Sequence, residues 1–394
     1  MRGIPRTVWA LGFVSMFMDI SSEMIHSLLP VFLVTVLHAG TLSVGLIEGA
    51  SEAVALMAKT FSGALSDWLG RRKTLLFIGY AIGTATKPLF ALAAGVPLVF
   101  AARFVDRIGK GVRGAPRDAL VADATPAHLR GAAFGLRQSL DTVGAFVGPL
   151  LAMLCMWATA GDFRKVFWIA VFPGMMALAM ILFGVREPST RGAGSARRQI
   201  RMDALRELGR PFWRVVLLGT IFTMARFSEA FLLLRAQDVG MAAGMIPLVL
   251  VVMNVAYSLT AYPMGKLSDR VGRTGLLSAG LALLIAADVV LALGGQTWHV
   301  LGGAVLWGVH MGLTQGLLAA MVADTAVADL RGTAFGIFGL SCGVAVLGGN
   351  LIAGFLWSIH GPRLVFTVGG LLAGATLLGY LLLQNESRLK KRRK

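Results

Sequence analysis

The sequence has few charged residues and very few cysteines. Charged residues make up 14% of its 394 positions, hydrophobic residues make up 56%, and the mean hydropathy is +0.73. A soluble domain is about one quarter charged, so this composition excludes an ordinary soluble protein and is typical of an integral membrane protein. Cys155 and Cys342 both lie inside apolar runs, which favours buried small side chains over a disulfide or a metal pair. The six histidines have no metal-ligand spacing, so no metal site is predicted.

Positive charge exceeds negative charge by 17. Most of this excess lies in short connectors and at the termini, which is the positive-inside pattern of membrane proteins and not a basic face for nucleic acid. We therefore expect a multi-pass protein of the inner membrane with both termini in the cytoplasm. Anionic lipid headgroups at the cytoplasmic face are its expected partners, and nucleic acid is not.

Apolar runs long enough to span a bilayer recur along the whole chain. A spanning helix needs about 20 mostly apolar residues. Twelve candidates satisfy this, at roughly 8–37, 42–65, 74–95, 97–120, 131–158, 165–185, 212–237, 244–266, 274–294, 298–322, 332–357 and 363–384. The sequence thus predicts an all-α integral membrane protein with twelve transmembrane helices.

The longest polar interruption, from Arg186 to Arg210, divides these helices six and six. We expect an N-terminal six-helix bundle at 1–186 and a C-terminal six-helix bundle at 211–384. The cytoplasmic linker at 187–210 can form an amphipathic helix on the membrane surface. A basic cytoplasmic tail follows at 385–394.

Two sequence repeats indicate an internal duplication. The turn Gly63–Lys73, GALSDWLGRRK, has a shortened copy, GKLSDRVGR, 202 positions later. Independently, residues 121–135 and 322–336 are identical at ten of fifteen positions with an offset of 201. Two matches with nearly one offset predict six-helix repeats of the same orientation. Such parallel halves hold a substrate cavity at their interface near the bilayer midplane.

The Gly63–Lys73 turn resembles, position by position, the loop between helices two and three of the major facilitator superfamily. The second copy departs from that pattern at Thr274, where a basic residue is usual. The resemblance covers the whole chain and implies two pseudo-symmetric bundles, transport by alternating access and function as a monomer. It also implies that Arg103 corresponds to a characteristic helix-four arginine, whereas Asp106 replaces the usual glutamine.

Helix five carries part of the antiporter signature of exporter subfamilies within that superfamily. The matching residues are Gly135, Gly144, Gly148 and Pro149, whereas Ala152 and Met153 stand where a glycine pair is usual. The glycines also allow close helix packing, and the proline favours a kink. The resemblance to exporters is therefore partial.

Acids within the predicted helices are candidates for proton coupling. Asp19 lies close to the midplane of helix one, Glu23 lies one turn further, and Glu229 is a secondary candidate in helix seven. An ionised carboxylate there is costly unless it is paired, hydrated or protonated, so a change of protonation can accompany alternating access. A permanent ion pair with an arginine on a neighbouring helix is the structural alternative.

Polar residues within the predicted helices are candidates for contact with a substrate. For Arg103 the alternative is a role as partner of a helix-one acid, and for the others it is a buried hydrogen bond to another helix. The predicted cavity residues are Asp19, Glu23, His26, Arg103, Asp106, Asn254, Tyr257, His310 and Gln315.

A second group is predicted to form a cytoplasmic gate. Asp67 is expected to accept N–H bonds from the start of helix eleven, and Arg71 to pair with an acid at the cytoplasmic end of helix four. The predicted gate residues are Gly63, Asp67, Gly70, Arg71, Arg113, Arg117, Asp118, Asp123, Asp269 and Arg273.

These features together predict a secondary active transporter that exports a small organic molecule in exchange for protons. The proton gradient is its expected energy source, and no cofactor and no catalytic residue are predicted. Transport of an anionic solute such as a siderophore or organic acid, including uptake, is the first alternative, because it would explain the cationic helix four. A membrane sensor or enzyme without flux is a remote alternative, since the sequence has no nucleotide loop or nucleophile constellation.

Overall fold

The chain is built from long helices. The computed structural model describes residues 4–69, 71–186, 208–271, 273–314, 317–326 and 330–392, and within them no strand occurs. Twelve helical segments follow one another: α1 (Arg6–Thr35, in the parts Arg6–His26 and Leu29–Thr35), α2 (Thr41–Leu69), α3 (Arg72–Leu92), α4 (Val96–Ala124), α5 (Arg130–Ala158), α6 (Phe163–Gly184), α7 (Arg210–Asp238, in the parts Arg210–Ala225 and Ala230–Asp238), α8 (Leu248–Val271), α9 (Arg273–Leu293), α10 (Thr297–Thr314 and Leu317–Thr325), α11 (Arg331–His360) and α12 (Pro362–Arg392).

Within the described residues, ten of these segments are long and apolar enough to cross a membrane. The two others are α4 and α10. α4 carries seven charged side chains between Arg103 and Asp118. It is nevertheless packed against both α2 and α3, and four of those charged side chains are buried: Arg103, Asp106, Arg107 and Arg113. Because these four charged side chains are buried within protein, they are tolerated at membrane depth.

α1 and α7 are interrupted at equivalent positions of the sequence repeat. α1 stops being helical at Ser27 and Leu28, and α7 does so between residues 226 and 229. The repeat offset of 201 carries Ser27 onto Ser228, inside the second break. A break frees backbone groups that must find partners within the protein. The Ser228 N–H finds one by donating to Oδ1 of Asn350 at 2.8 Å.

Glycines allow the two halves to meet closely at one end of the molecule. We call the end that holds Arg6 and Arg71 the turn face and the other end, which holds Thr41 and Gly361, the opposite face. A Cβ on Gly45 of α2 would lie 2.2 Å from the carbonyl oxygen of Asn350 on α11. No side chain fits at that distance, so glycine is needed for the two backbones to approach.

The junction at the opposite face also has polar and apolar contacts. The Thr41 hydroxyl donates to the Gly354 carbonyl at 3.0 Å. The largest apolar core cluster includes Phe32 and Leu33 from the second part of α1 together with Leu232 from the second part of α7. The two halves therefore share one continuous core at this end.

The predicted division into bundles at 1–186 and 211–384 stays a prediction, as does the cytoplasmic orientation of the turn face. Residues 187–207 of the predicted linker lie outside the described residues. The last helix continues through most of the predicted tail, to Arg392.

Candidate functional site

A polar cavity lies between helices of both halves. Its volume is about 310 Å³, at the lower end of the range for small-molecule pockets. α1, α2, α4 and α5 contribute to it from the first half, and α8 contributes from the second. Its described lining residues are Asp19, Glu23, Lys59, Lys110, Arg113, Gly114, Arg117, Gln138, Asp141, Thr142, Ala145, Asn254 and Tyr257.

The two helix-one acids face this cavity because α5 packs closely against α1. A Cβ on Gly144 would lie 2.9 Å from Cβ of Asp19, and a Cβ on Gly148 would lie 2.6 Å from Cβ of Glu23. Both positions thus need glycine, whereas an added Cβ on Gly135 would meet no atom within 4 Å. Two of the four signature positions in helix five are therefore in direct contact with the candidate proton-coupling residues. Pro149 lies within α5 beside them.

Three charged side chains of the cavity have no partner in the part of the chain that the structure describes. No hydrogen bond or ion pair there reaches the carboxylate of Asp19 or the ammonium groups of Lys59 and Lys110. A charged group at membrane depth is costly unless water, a proton or a ligand compensates it. These three groups are therefore available to a bound molecule.

The α4 cations line the cavity because they share one face of the helix. Lys110, Arg113, Gly114 and Arg117 are spaced i, i+3, i+4 and i+7, so they project in one direction. The Arg113 guanidinium also lies 4.7 Å from the centroid of the Tyr80 ring. Sequence reasoning assigned Arg113 and Arg117 to the gate; the structure places both in the cavity lining, and their role in the gate stays a prediction.

Arg117 and Arg137 form an ion network with two acids beside the cavity. Arg117 lies 3.3 Å from Asp118 and 3.8 Å from Asp141, and it also donates to the Ser15 hydroxyl at 3.0 Å. Arg137 donates to Asp141 at 2.8 Å, in the i, i+4 arrangement on α5. Asp118 thus belongs to this network, which joins α4 to α5.

A second, buried ion network runs from the cavity towards the opposite face. Nδ1 of His26 lies 3.3 Å from Glu23, and its Nε2 lies 3.5 Å from Glu48. Arg103 donates to the same Glu48 oxygen at 3.1 Å, and the Ser228 hydroxyl donates to it at 3.3 Å. Glu48 therefore connects the first half to the α7 break of the second half.

Two predicted cavity residues, His26 and Arg103, lie in this buried network and not in the cavity lining. Both form ion pairs with Glu48, at 3.5 Å from His26 Nε2 and at 3.1 Å from the Arg103 guanidinium. Glu48 itself was absent from the predicted site. The sequence feature that could have identified Glu48 is its position as an acid inside the predicted span 42–65.

Asp106 also lies away from the cavity. Its carboxylate accepts a hydrogen bond from Lys87 of α3 at 2.8 Å, and both side chains are buried. The Lys87 ammonium also donates to the Ser22 hydroxyl at 3.0 Å. Asp106 thus has a buried partner and lies outside the described cavity lining, which differs from its prediction as a cavity residue. Lys87 was the missed residue, a lysine inside the predicted span 74–95.

The candidates of the second half are spread more widely. Asn254 and Tyr257 line the cavity, and the Asn254 amide donates to the Ala145 carbonyl of α5 at 3.2 Å. His310 is fully buried between α9 and α10, with Nδ1 2.7 Å from the Gly280 carbonyl oxygen, so it is outside the described lining. Glu229 lies at the α7 break and is also outside it. Gln315 falls outside the described residues.

The predicted gate is described only in part. The acid Asp123 at the end of α4 pairs with Arg72, whereas the Arg71 side chain is exposed. The α4 acid therefore pairs with the neighbouring Arg72 and not, as expected, with Arg71. An added Cβ on Gly63 would lie 3.6 Å from Ala115, an ordinary packing distance. Gly70 and the side chains of Asp67, Asp269 and Arg273 lie outside the described residues, so the gate stays a prediction.

Comparisons with known proteins agree with this architecture. Residues 11–235 and 215–394 match the family model described as Major Facilitator Superfamily. Over 388 residues the chain is 32% identical to an uncharacterised MFS-type transporter of Methanocaldococcus jannaschii, covering 97% of this chain and 95% of that protein. It is 31% identical over 377 residues to an uncharacterised protein of Mycobacterium tuberculosis, covering 92% and 89%.

The fold also resembles that of solved structures. The crystal structure of the nucleoside transporter NupG superposes with a TM-score of 0.80 at 12% identity, covering 95% of this chain and 99% of that one. At that identity the likeness shows the fold alone. The predicted all-α membrane fold of about twelve helices is confirmed.

Proposed function

Because the chain belongs to the major facilitator superfamily, it is a multi-pass membrane transporter and not an enzyme, and we propose that it couples the movement of a small organic anion to that of protons. Members of this family are secondary transporters that typically use ion gradients. The observation that carries the proposal is that Lys59 and Lys110, which have no partner among the described residues, line the same cavity as Asp19. The basic connectors support the inner membrane as its location, with the turn face and both termini in the cytoplasm.

The charge of the cavity favours an anionic substrate. Its described lining contains four cations and three acids: Lys59, Lys110, Arg113 and Arg117, against Asp19, Glu23 and Asp141. Asp141 is bonded to Arg137, and Glu23 contacts His26, so two of the three acids are already engaged. An anionic group is therefore attracted by the lysines and opposed mainly by Asp19. A carboxylate, sulfonate or phosphate on a compact organic body fits this arrangement.

Protonation of Asp19 then links the substrate to the proton. A proton on Asp19 removes the negative charge that opposes the anion, so each ligand increases the affinity of the other. Two ligands that bind together are carried together, which corresponds to uptake of the anion with protons. The predicted gate at the turn face would close the cavity on that side in the other conformation of the transport cycle.

Export in exchange for protons is the second candidate. Gly144 and Gly148 of the helix-five signature pack directly on Asp19 and Glu23, which favours a role of that signature in proton handling. A cationic or amphipathic substrate would compete with the proton for Asp19. Binding would then weaken as the pH falls, which is the opposite of the anion case.

The sign of the pH dependence distinguishes the two candidates. The purified protein in lipid nanodiscs is screened by thermal stabilisation against a panel of organic acids, sugar phosphates and amphipathic amines at pH 5.5 and 7.5. Anions that stabilise more at the lower pH support the proposal. Amines that stabilise more at the higher pH support export, and a panel without any stabilising compound at either pH contradicts both.

Lysine variants then test the site itself. Lys110→Gln is expected to weaken anion binding by about tenfold or more, because a charge-assisted contact is lost. Lys165→Gln is the matched control, since Lys165 is an exposed lysine, 67% accessible, that pairs with Asp162 before α6. Equal anion affinity in the two variants would contradict a substrate role for Lys110.

A further inference from the structure

A buried carboxylate in the second half has no role in the cavity described above. Asp288 lies on α9 and is 1% exposed. Neither of its carboxylate oxygens has a hydrogen-bond partner among the residues that the structure describes, and no ion pair reaches it there. An ionisable side chain at membrane depth marks a functional site when no structural partner accounts for it.

Asp288 forms part of a crevice between α9 and α12. The crevice has a volume of about 270 Å³, and apolar side chains make up most of its wall, including Ile285, Ala292 and Phe366. Gly370 of α12 completes the wall next to the acid. Asp288 is the one acidic residue in the described lining.

The carboxylate lies where α12 carries a glycine pair. A Cβ on Gly369 would lie 3.0 Å from Oδ2 of Asp288, so the acid is packed against the α12 backbone. A Cβ on Gly370 would lie 3.5 Å from the Asp288 Cβ, which is an ordinary contact. Small residues on α12 therefore leave room both for the acid and for the crevice beside it.

The crevice opens to the outer surface of the helix bundle and not to the central cavity. Its rim residues Val289, Leu293 and Leu371 are 49%, 72% and 67% exposed. In a membrane, side chains of this kind on the outside of α9 and α12 face lipid. Asp288 is five residues from the end of α9 at Leu293, about 7.5 Å along the helix axis. A ligand would therefore enter from the lipid leaflet at the opposite face.

We propose that this α9–α12 crevice is a second binding site, which takes an amphipathic molecule with a single positive charge from the lipid phase. The apolar walls receive an alkyl or aromatic body, and the ammonium group pairs with Asp288. The short distance from the acid to the end of α9 matches the depth at which an amphiphile holds its charged group. A metal ion fits less well, because the described chain holds no cluster of three or more His, Cys, Asp or Glu residues.

Binding of a fluorescent alkylamine tests the proposal. The full chain in nanodiscs is titrated with dodecylamine that carries a dansyl group at its far end, and energy transfer from the protein tryptophans is measured. Trp307 lies close to the site, since its ring contacts that of Phe227, which approaches Gly369. The same dansyl compound with an acetylated amine has no charge and reports simple partition into lipid.

Asp288→Asn is expected to reduce the affinity for the amine by about tenfold or more and to leave the partition of the neutral compound unchanged. Gly370→Leu keeps the acid but fills the crevice, and it is expected to lose amine binding as well. Asp162→Asn is the control, because Asp162 is a partly exposed acid that precedes α6 on the same face, and this variant should bind the amine as the wild type does.

Two results would overturn the site. One is that the amine binds the wild type no more tightly than its neutral analogue does. The other is an amine affinity unaffected by both Asp288→Asn and Gly370→Leu. These amine-binding measurements do not involve the central cavity, so either result leaves the proposed anion transport unaffected.

Discussion

At the scale of single residues, the burial of an ion pair decides what its loss costs. Lys87 and Asp106 are 2.8 Å apart, with side chains 2% and 3% exposed. Replacing Lys87 by Met leaves the Asp106 carboxylate buried without its cation. We expect Lys87→Met to destabilise the protein by about 3–5 kcal/mol, measured by thermal unfolding in detergent.

Two comparisons isolate the cause of this loss. The double variant Lys87→Met, Asp106→Asn removes both charges and should recover part of the stability. Lys165→Met removes an exposed lysine from its pair with Asp162 and should change the unfolding temperature very little. A Lys87→Met protein as stable as the wild type would show that Asp106 is not held as an ion in this structure.

The α5 glycines allow a matched pair of single-methyl substitutions on one helix. An added Cβ at Gly148 would lie 2.6 Å from Glu23, whereas one at Gly135 meets nothing within 4 Å. We expect Gly148→Ala to destabilise by about 1–3 kcal/mol through overpacking. We expect Gly135→Ala to be neutral or to stabilise by up to about 1 kcal/mol, because alanine favours the helix.

The same thermal unfolding measurement checks both substitutions, and only Gly148→Ala should lower the unfolding temperature. Equal effects would mean that α1 and α5 do not approach as closely as described. If Gly148→Ala alone also lost substrate binding or its dependence on pH, the packing of α5 would be shown to position the helix-one acids.

Sequence reasoning at this scale identified which residues are unusual but not which way they point. Asp19 and Asp106 both stood out as acids in predicted helices, yet only Asp19 faces the cavity. The rotation of a helix about its axis depends on the helices packed around it, so the rotation cannot be derived from the hydropathy of the sequence. Lys87 and Asp288 were missed because one charged residue barely changes the average hydropathy of a long apolar run.

At the scale of elements, helix number and the sequence duplication could be read directly, because spanning length and repeat offset are written in the chain. The breaks in α1 and α7 could not be predicted from the sequence, although they occupy equivalent positions at Ser27 and Ser228. Neither serine breaks a helix by itself. The α7 break is stabilised by the contact of Ser228 with Asn350 of α11, which is far away in sequence.

The contact between α2 and α11 makes a prediction at this scale. Gly45 lets α2 reach the α11 backbone, and an added Cβ would lie 2.2 Å from a carbonyl oxygen. Gly45→Ala should therefore weaken the junction of the halves at the opposite face. Gly348→Ala on α11 is the control, since an added Cβ there meets nothing within 4 Å.

Spin labels across the junction measure this effect. The label sites are Val36 in the first half and Ile359 in the second, both exposed near the opposite face and both replaced by Cys. The native Cys155 and Cys342 are replaced by Ala beforehand. We expect Gly45→Ala to shift the label distances to longer values and Gly348→Ala to leave them unchanged. An unchanged distribution in both variants would contradict the role of Gly45 in closing this end.

At the scale of the whole molecule, the question is how one protonation can change the relation between two halves. Asp19 faces the cavity without a partner in the described chain, and the cavity is lined by both halves. A change in its charge therefore alters the field felt by Lys110 and Arg117 on α4 while the second half is in contact through Asn254. Proton binding at this position can bias the equilibrium between conformations only if the two states differ in their affinity for the proton.

The labelled protein tests this coupling without a known substrate. In the wild type we expect the distance distribution between the labels at 36 and 359 to change between pH 5.5 and pH 7.5. Asp19→Asn cannot ionise, so its distribution should be the same at both pH values, whereas Asp162→Asn should respond as the wild type does. If Asp19→Asn kept the full response, proton coupling would lie at another acid, and Glu23 and Glu229 would be the next substitutions, because each is an acid that can change charge as access alternates.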